Sequence, residues 1–245
     1  MALPSQDSSQ DARNGASCVS APQSVCHRFD RLGFDQPERT FRLGIMGGTF
    51  DPIHIGHLSC AEQARVAFDL DAVVFMPAGT PVFKLNQRIT DAQARLDMCR
   101  LATASNPFFD VSPLEVEREG NTYTVDTLCQ LRAYYPPNVE LYFITGADAV
   151  LSSVKWRDTE RIAELAHLIA VTRPGAHISD AFKSDMAEMT RFDINYLEVP
   201  ALSISSSMLR RFVREGNSIR YLVTYNVFDY ICRHGLYSQA GGGGE

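Results

Sequence analysis

Apolar and polar positions along this chain fall into two rhythms. Short apolar runs at Phe41–Met46, Ala72–Met76, Phe108–Ser112, Val139–Ile144, His167–Val171 and Ile194–Val199 read as strands. The continuous run Ala72–Met76 is that of a strand buried on both faces of a parallel sheet. Between the runs the spacing lengthens to that of helices. Leu58, Ala61, Ala64 and Phe68 predict a helix to Asp69, and Leu96, Cys99 and Ala102 one over Asp91–Ala104. Thr90 with Gln93 resembles a capping box for that second helix. Further helices are expected up to Tyr135, over Asp158–Ala166 and after Ser203–Ser207. Strands alternating with helices predict an α/β fold, a doubly wound parallel sheet in one domain spanning 40–238. Residues 1–39 are rich in Ser, Gln, Asp, Ala and Pro without periodicity, and are expected to be a disordered extension in which Cys26 and His27 are incidental. The Gly-rich end, 239–245, is expected to be a flexible tail.

Composition narrows the function classes. A net charge of −6 argues against bulk electrostatic binding to nucleic acid or to an anionic membrane. No apolar run approaches the ~20 residues needed to span a bilayer. The six cysteines show no C-x-x-C pair and no metal spacing, and no signal peptide precedes them. Reduced thiols in the cytoplasm are the expectation. Cys60, Cys99 and Cys129 fall within helical patterns, as small buried hydrophobes do.

The chemistry concentrates where the first strand meets the first long helix. Gly47-Gly48-Thr49-Phe50-Asp51-Pro52-Ile53-His54-Ile55-Gly56-His57 is a strand-to-helix turn. Its glycines allow a tight turn and close backbone approach, and the helix N-terminus behind it favours an anion. His54 and His57, three apart, can face the same anion and neutralise charge developing on it. A metal half-site or a solvated helix end are the bland alternatives for the pair. No Gly-Lys-Ser/Thr follows and the Gly-x-Gly-x-x-Gly spacing is missing, so this is neither a P-loop nor a dinucleotide fingerprint. Ser203–Ser207 with Arg210 one turn on makes a second anion site of hydroxyls, N–H groups and a guanidinium. Asp148, just past the fourth strand, suits ribose hydroxyls or an N-cap equally. Lys84 and Arg173 lie in loops leaving strand ends. Thr122–Thr124 are candidate caps for the helix that ends near Tyr135. Trp156, the lone tryptophan, is a core anchor or a π-face for a base.

These segments resemble one family. The first looks like the GGTFDPxHxGH signature of nucleotidylyltransferases, and from about Phe41 to Tyr237 the chain resembles the bacterial nicotinate-mononucleotide adenylyltransferases. Glu117–Thr127 resembles their ERxGxTYTxDT segment, Ile204–Arg210 their ISSTxxR motif with Ser207 for Thr, and Tyr221–Tyr237 their closing pattern with Thr224 for Pro. The loop pattern Pro-x-His-Lys has Phe83 in place of its histidine. The resemblance implies a Rossmann-like fold and transfer of an adenylyl group from ATP to nicotinate mononucleotide. It implies catalytic roles for His54, His57 and Arg210. Gly47, Gly48, Thr49, Phe50, Asp148, Ser206 and Ser207 would meet ATP. Lys84, Tyr123, Thr124, Trp156 and Arg173 would meet the nicotinate nucleotide. Mg²⁺ is expected on the triphosphate rather than in a protein cage. The oligomeric state is left open. A sister transferase acting on phosphopantetheine or nicotinamide mononucleotide, and a nucleotide-binding module without turnover, are the rival readings.

Overall fold

The computed structural model describes residues 25–81, 89–152, 156–172, 191–200 and 202–238, together with Ser184 and Glu188. The elements run in the order α1 (His27–Asp30), β1 (Phe41–Gly48), α2 (Ile55–Ala67), β2 (Ala72–Pro77), β3 (Thr80–Pro81), α3 (Ala92–Thr103), β4 (Phe109–Val111) and β5 (Asn121–Thr122). There follow α4 (Thr124–Tyr134), β6 (Val139–Gly146), α5 (Ala147–Ser152), α6 (Thr159–Leu165), β7 (His167–Thr172), β8 (Ile194–Glu198), α7 (Ser206–Arg214) and α8 (Tyr225–Arg233). The expected strands all form one six-stranded sheet, ordered β4-β2-β1-β6-β7-β8. Every pairing in it is parallel. The chain winds outward from β1 through β2 to β4, then returns to β6 on the other side of β1. The switch point therefore lies between β1 and β6, and a crevice is expected beyond their carboxyl ends.

Side chains alternate across the sheet and build a core on each face. Leu43 and Ile45 of β1, Val74 of β2 and Leu141 of β6 pack with Val125, Leu128 and Leu131 of α4 and Ile162 of α6. Met46, Val73, Phe75 and Ile144 point the other way, toward Ala61 and Ala64 of α2, Leu96 and Cys99 of α3, Leu209 of α7 and Val227 of α8. A side chain at Gly44 would meet the Leu70 methyl at 2.8 Å, so glycine is what lets α2 and its exit loop lie close on β1. Among the described residues no helix is long and apolar enough to cross a membrane.

Three local expectations change. Residues 25–39 are not an extension: Val25, Cys26 and Phe29 are buried in the core. The Phe29 and Phe34 rings meet tilted at 5.2 Å, and Phe34 meets Phe41 edge-on at 5.1 Å. The Tyr135 hydroxyl donates to Asp30 at 2.8 Å, and the Arg28 N–H donates to Asp110 at 2.9 Å. Aromatic burial and these hydrogen bonds outweigh the segment's polar composition, so Cys26 is structural. Second, α3 is capped by Asp91 rather than Thr90, its carboxylate accepting from the Gln93 and Ala94 N–H groups. Third, α4 opens at Tyr123 without a side-chain cap, because the Thr122 hydroxyl instead accepts from the Thr80 N–H at 3.3 Å. That bond belongs to a parallel two-stranded sheet of β3 and β5 that the pattern did not foreshadow. Residues 1–24 and 239–245 lie outside the described residues.

Candidate active site

The turn after β1 is built by its side chains as much as by its glycines. A side chain at Gly48 would strike the Phe50 ring at 2.8 Å, and one at Gly47 the Phe143 ring at 3.1 Å. The left-handed residue of the turn is Phe50, at φ +50°, held by burial of its ring. The chain then enters α2 with His54 as N-cap. The His57 N–H donates to the His54 carbonyl at 2.9 Å, and His57 Nδ1 accepts from the His54 N–H at 3.2 Å. The two imidazoles stack 3.6 Å apart. With Nδ1 accepting, the neutral His57 ring carries its proton on Nε2. Joined by the His57 Nδ1 bond and by ring stacking, the histidine pair stands as one preassembled unit at the helix start.

The second motif is fastened to the first. Ser205, not Ser206 or Ser207, caps α7, its hydroxyl accepting from the Met208 N–H at 3.2 Å. The Ser206 hydroxyl donates to the Pro52 carbonyl at 2.9 Å, and Arg210 donates to the Asp51 carbonyl at 2.7 Å and to the Ser207 hydroxyl at 3.3 Å. Helix N-termini of α2 and α7 are therefore drawn to one place, where their dipoles add.

Three residues support the site in ways that their place in the sequence did not show. Asp51, 3 % exposed, accepts from the Tyr237 hydroxyl at 2.7 Å and lies 3.8 Å from Arg210. Burial, and then the Asp51 charge, push the Tyr237 hydroxyl well above its usual range. Arg95, 1 % exposed, donates to the carbonyls of Thr90 (2.9 Å), Thr49 (2.8 Å) and Gly79 (3.0 Å). Desolvation lowers its pKa. A charged residue adjoining Leu96 within an otherwise apolar helical stripe was the available signal for Arg95. For Asp51 and Tyr237 it was membership of the two motif ends.

Gly47, Gly48, Phe50, His54, His57, Ser206, Ser207 and Arg210 line one cavity of about 410 Å³ above the carboxyl ends of β1 and β6. Val199, Leu202, Ile204 and Cys60 give it an apolar wall, Cys60 being half-buried against the core as well. Thr49 is not in the lining, since its carbonyl is turned to Arg95. Tyr123, Thr124 and Trp156 lie on the other side of the sheet. Trp156 meets Phe143 edge-on at 5.7 Å, and Arg157 lies over the Tyr123 ring at 5.0 Å. Phe143 is also the ring that a side chain at Gly47 would strike, so the two groups of residues adjoin at Gly47. Asp148 is the second residue of α5, directly beyond β6, and its side chain lies outside the described residues, as do Lys84 and Arg173.

The cytidylyltransferase-like family model matches residues 45–212, which include both motifs. The chain is 48% identical over 201 residues to a Moorella thermoacetica protein named "Probable nicotinate-nucleotide adenylyltransferase", covering 81% of this chain and 93% of that one. The chain belongs to the nicotinate-nucleotide adenylyltransferases. A Corynebacterium glutamicum relative of the same name is 45% identical over 204 residues, covering 83% of this chain and 92% of its own. Among solved structures, a nicotinic acid mononucleotide adenylyltransferase of Plasmodium falciparum complexed with NaAD superimposes with a TM-score of 0.65. That alignment covers 80% of this chain and 97% of the other at 21% identity, a likeness of fold. For a nicotinate-nucleotide adenylyltransferase, the position of α2 and α7 at the β1–β6 switch point is where a nucleotide binds in open α/β sheets.

Proposed function

We propose that this chain transfers the adenylyl group of ATP to nicotinate mononucleotide, giving nicotinate adenine dinucleotide (deamido-NAD) and pyrophosphate. The observation that carries this reading is the convergence of His54, His57, Arg210 and the α2 and α7 N-termini on one cavity. An oxygen of the acceptor's 5′-phosphate attacks the α-phosphorus of ATP. The new P–O bond forms in line as the bond to the bridging oxygen breaks, and pyrophosphate departs with that electron pair. The nucleophile is already anionic, so no protein base is required, and positioning with charge neutralisation supplies the catalysis.

His57 Nε2 and the Arg210 guanidinium meet charge developing on the α-phosphate and the leaving group. The N–H groups at the start of α7 and the Ser207 hydroxyl hold the β- and γ-phosphates. Because the Ser206 hydroxyl already donates to Pro52, its role is to join α7 to the first motif. The apolar wall of Leu202 and Ile204 suits the adenine ring, and Asp148 the ribose hydroxyls. On the far side of Gly47, Trp156 and Tyr123 offer aromatic faces to the pyridine ring. The uncapped start of α4 at Thr124 offers N–H groups to its carboxylate. Lys84 and Arg173 complete the acceptor site. The polar lining of the cavity is a set of donors, which fits a polyphosphate whose own oxygens and waters hold Mg²⁺. When bound there, the ion withdraws charge from the triphosphate. We place the enzyme in the cytoplasm.

The test is pyrophosphate release from ATP and Mg²⁺ with nicotinate mononucleotide, nicotinamide mononucleotide and phosphopantetheine as acceptors. Release with the first, lowered about 10²–10³-fold in kcat by His57→Ala, is the expected result. Preference for another acceptor overturns the acceptor assignment. ATP binding without release from any of the three overturns the transferase.

A further inference from the structure

Glu115 stands out among the groups that the chemistry above leaves unused. It is 7 % exposed, and it lies in the loop between β4 and β5, behind the start of α4. Its carboxylate accepts from the Thr127 hydroxyl at 2.6 Å. Arg118, on the same loop, donates to that hydroxyl at 3.0 Å and also to the Gln130 side chain. Against the other side of Glu115 lies Gly79, where any side chain would sit 2.2 Å from the Glu115 carbonyl oxygen. Arg118 is the charge acting on Glu115 among the described residues, while α4 contributes the Thr127 hydroxyl.

Thr127 has a second acceptor within reach. Its N–H makes the helical bond to the Tyr123 carbonyl at 3.3 Å, and its hydroxyl lies 3.4 Å from the same carbonyl. One hydroxyl proton serves one of the two. While Glu115 is ionised, charge and distance direct that proton to the carboxylate. Protonation leaves Glu115 only a neutral, weaker carbonyl acceptor, which shifts the balance of the hydroxyl proton toward the Tyr123 carbonyl and draws that carbonyl off the helix axis. The Tyr123 carbonyl and the Thr124 N–H belong to one planar peptide group, so tilting one tilts the other.

We propose that Glu115 is a positioning residue for the acceptor, acting through Thr127 to aim the Thr124 N–H at the acceptor's carboxylate. This deepens the acceptor site described above and rests on that reading. Burial raises the Glu115 pKa to about 7, against the lowering effects of Thr127 and Arg118, so the two states exchange within the working pH range. The ionised state is the one that binds acceptor well.

The experiment compares Glu115→Gln with the unaltered enzyme between pH 6 and 8.5, reading KM for nicotinate mononucleotide at saturating ATP. Titration of the acceptor's own phosphate is common to both proteins and drops out of the ratio. The expected KM ratio, variant to wild type, is near one at pH 6 and about five at pH 8.5, a loss of roughly 1 kcal/mol. KM for ATP and kcat stay within about twofold. Thr127→Ser keeps the hydroxyl and the pH step, whereas Thr127→Val abolishes the step. That second pair decides the matter should Glu115→Gln fail to fold. A KM ratio that does not change with pH, or an ATP KM that moves as far as the acceptor KM, would make Glu115 a packing residue and overturn the inference. Absence of any pyrophosphate release by the wild type with nicotinate mononucleotide is a different failure, that of the proposed function.

Discussion

Arg95 illustrates how much of this site rests on residues that never face a substrate. Its guanidinium is sealed in the core, yet it is bonded to the carbonyls of Thr49, Gly79 and Thr90, which belong to three separate loops around the cleft. A buried cation with its donors matched to carbonyls is tolerable, but the same carbonyls without the cation are left unsatisfied. Arg95→Met is thus expected to cost about 3 kcal/mol, seen as a melting temperature lower by roughly 6–12 °C. It should also loosen the turn after β1, so kcat should fall even at temperatures where the variant is folded. Unchanged melting would show that water or a neighbouring donor replaces the guanidinium. Nothing in a single sequence separates such an arginine from a solvated one except its place beside the apolar stripe of α3. Asp51 was visible within its motif, but its task of holding Arg210 and Tyr237 depends on segments about 160 and 186 positions away. That is information of tertiary structure.

At the scale of elements, what could be read was what repeats. The strands of the main sheet carry enough apolar residues to reveal their period, and the helices α2, α3 and α4 show theirs. The glycine turn and the serine run marked the two helix starts that bind anions. Elements below the length of one period were invisible. β3 and β5 are two residues each, and they exist because Thr122 bonds Thr80 and because Gly79 can lie against Glu115. α1 has four residues and no face of its own, but its Phe29 completes an aromatic cluster with Phe34, Phe41 and Tyr135. Polar composition is a weak guide where a few large rings decide burial. A chain beginning at Thr40 should therefore melt several degrees below one beginning at Val25, by loss of that cluster and of the Asp30–Tyr135 hydrogen bond. Because the cluster lies at the amino ends of the strands, opposite the cleft, kcat at low temperature should be similar in the two. Equal melting temperatures would mean that the segment merely rests on the domain.

Across the whole molecule, Glu115 sets stability against function. Its pKa is about 7 in the folded chain against a usual value of 4.5, so between those limits the folded state binds more protons than the unfolded one. Stability from this group is present below about pH 4.5 and is lost as pH rises to about 7, amounting to roughly 3 kcal/mol over the interval. Every other ionisable group is shared by Glu115→Gln and cancels in the difference between the two proteins. The difference in melting temperature, variant minus wild type, should become more positive between pH 5 and pH 8, by about 5–10 °C. A difference that is flat with pH would mean that Arg118 and Thr127 fully offset burial. The direction matters because it opposes the expected effect on acceptor binding. At pH 8 the glutamine variant should be the better-melting protein and the poorer binder of nicotinate mononucleotide. A residue kept only for packing would lose both together. A destabilised carboxylate behind the start of α4 is the kind of cost that persists where a binding site needs one orientation of a peptide group.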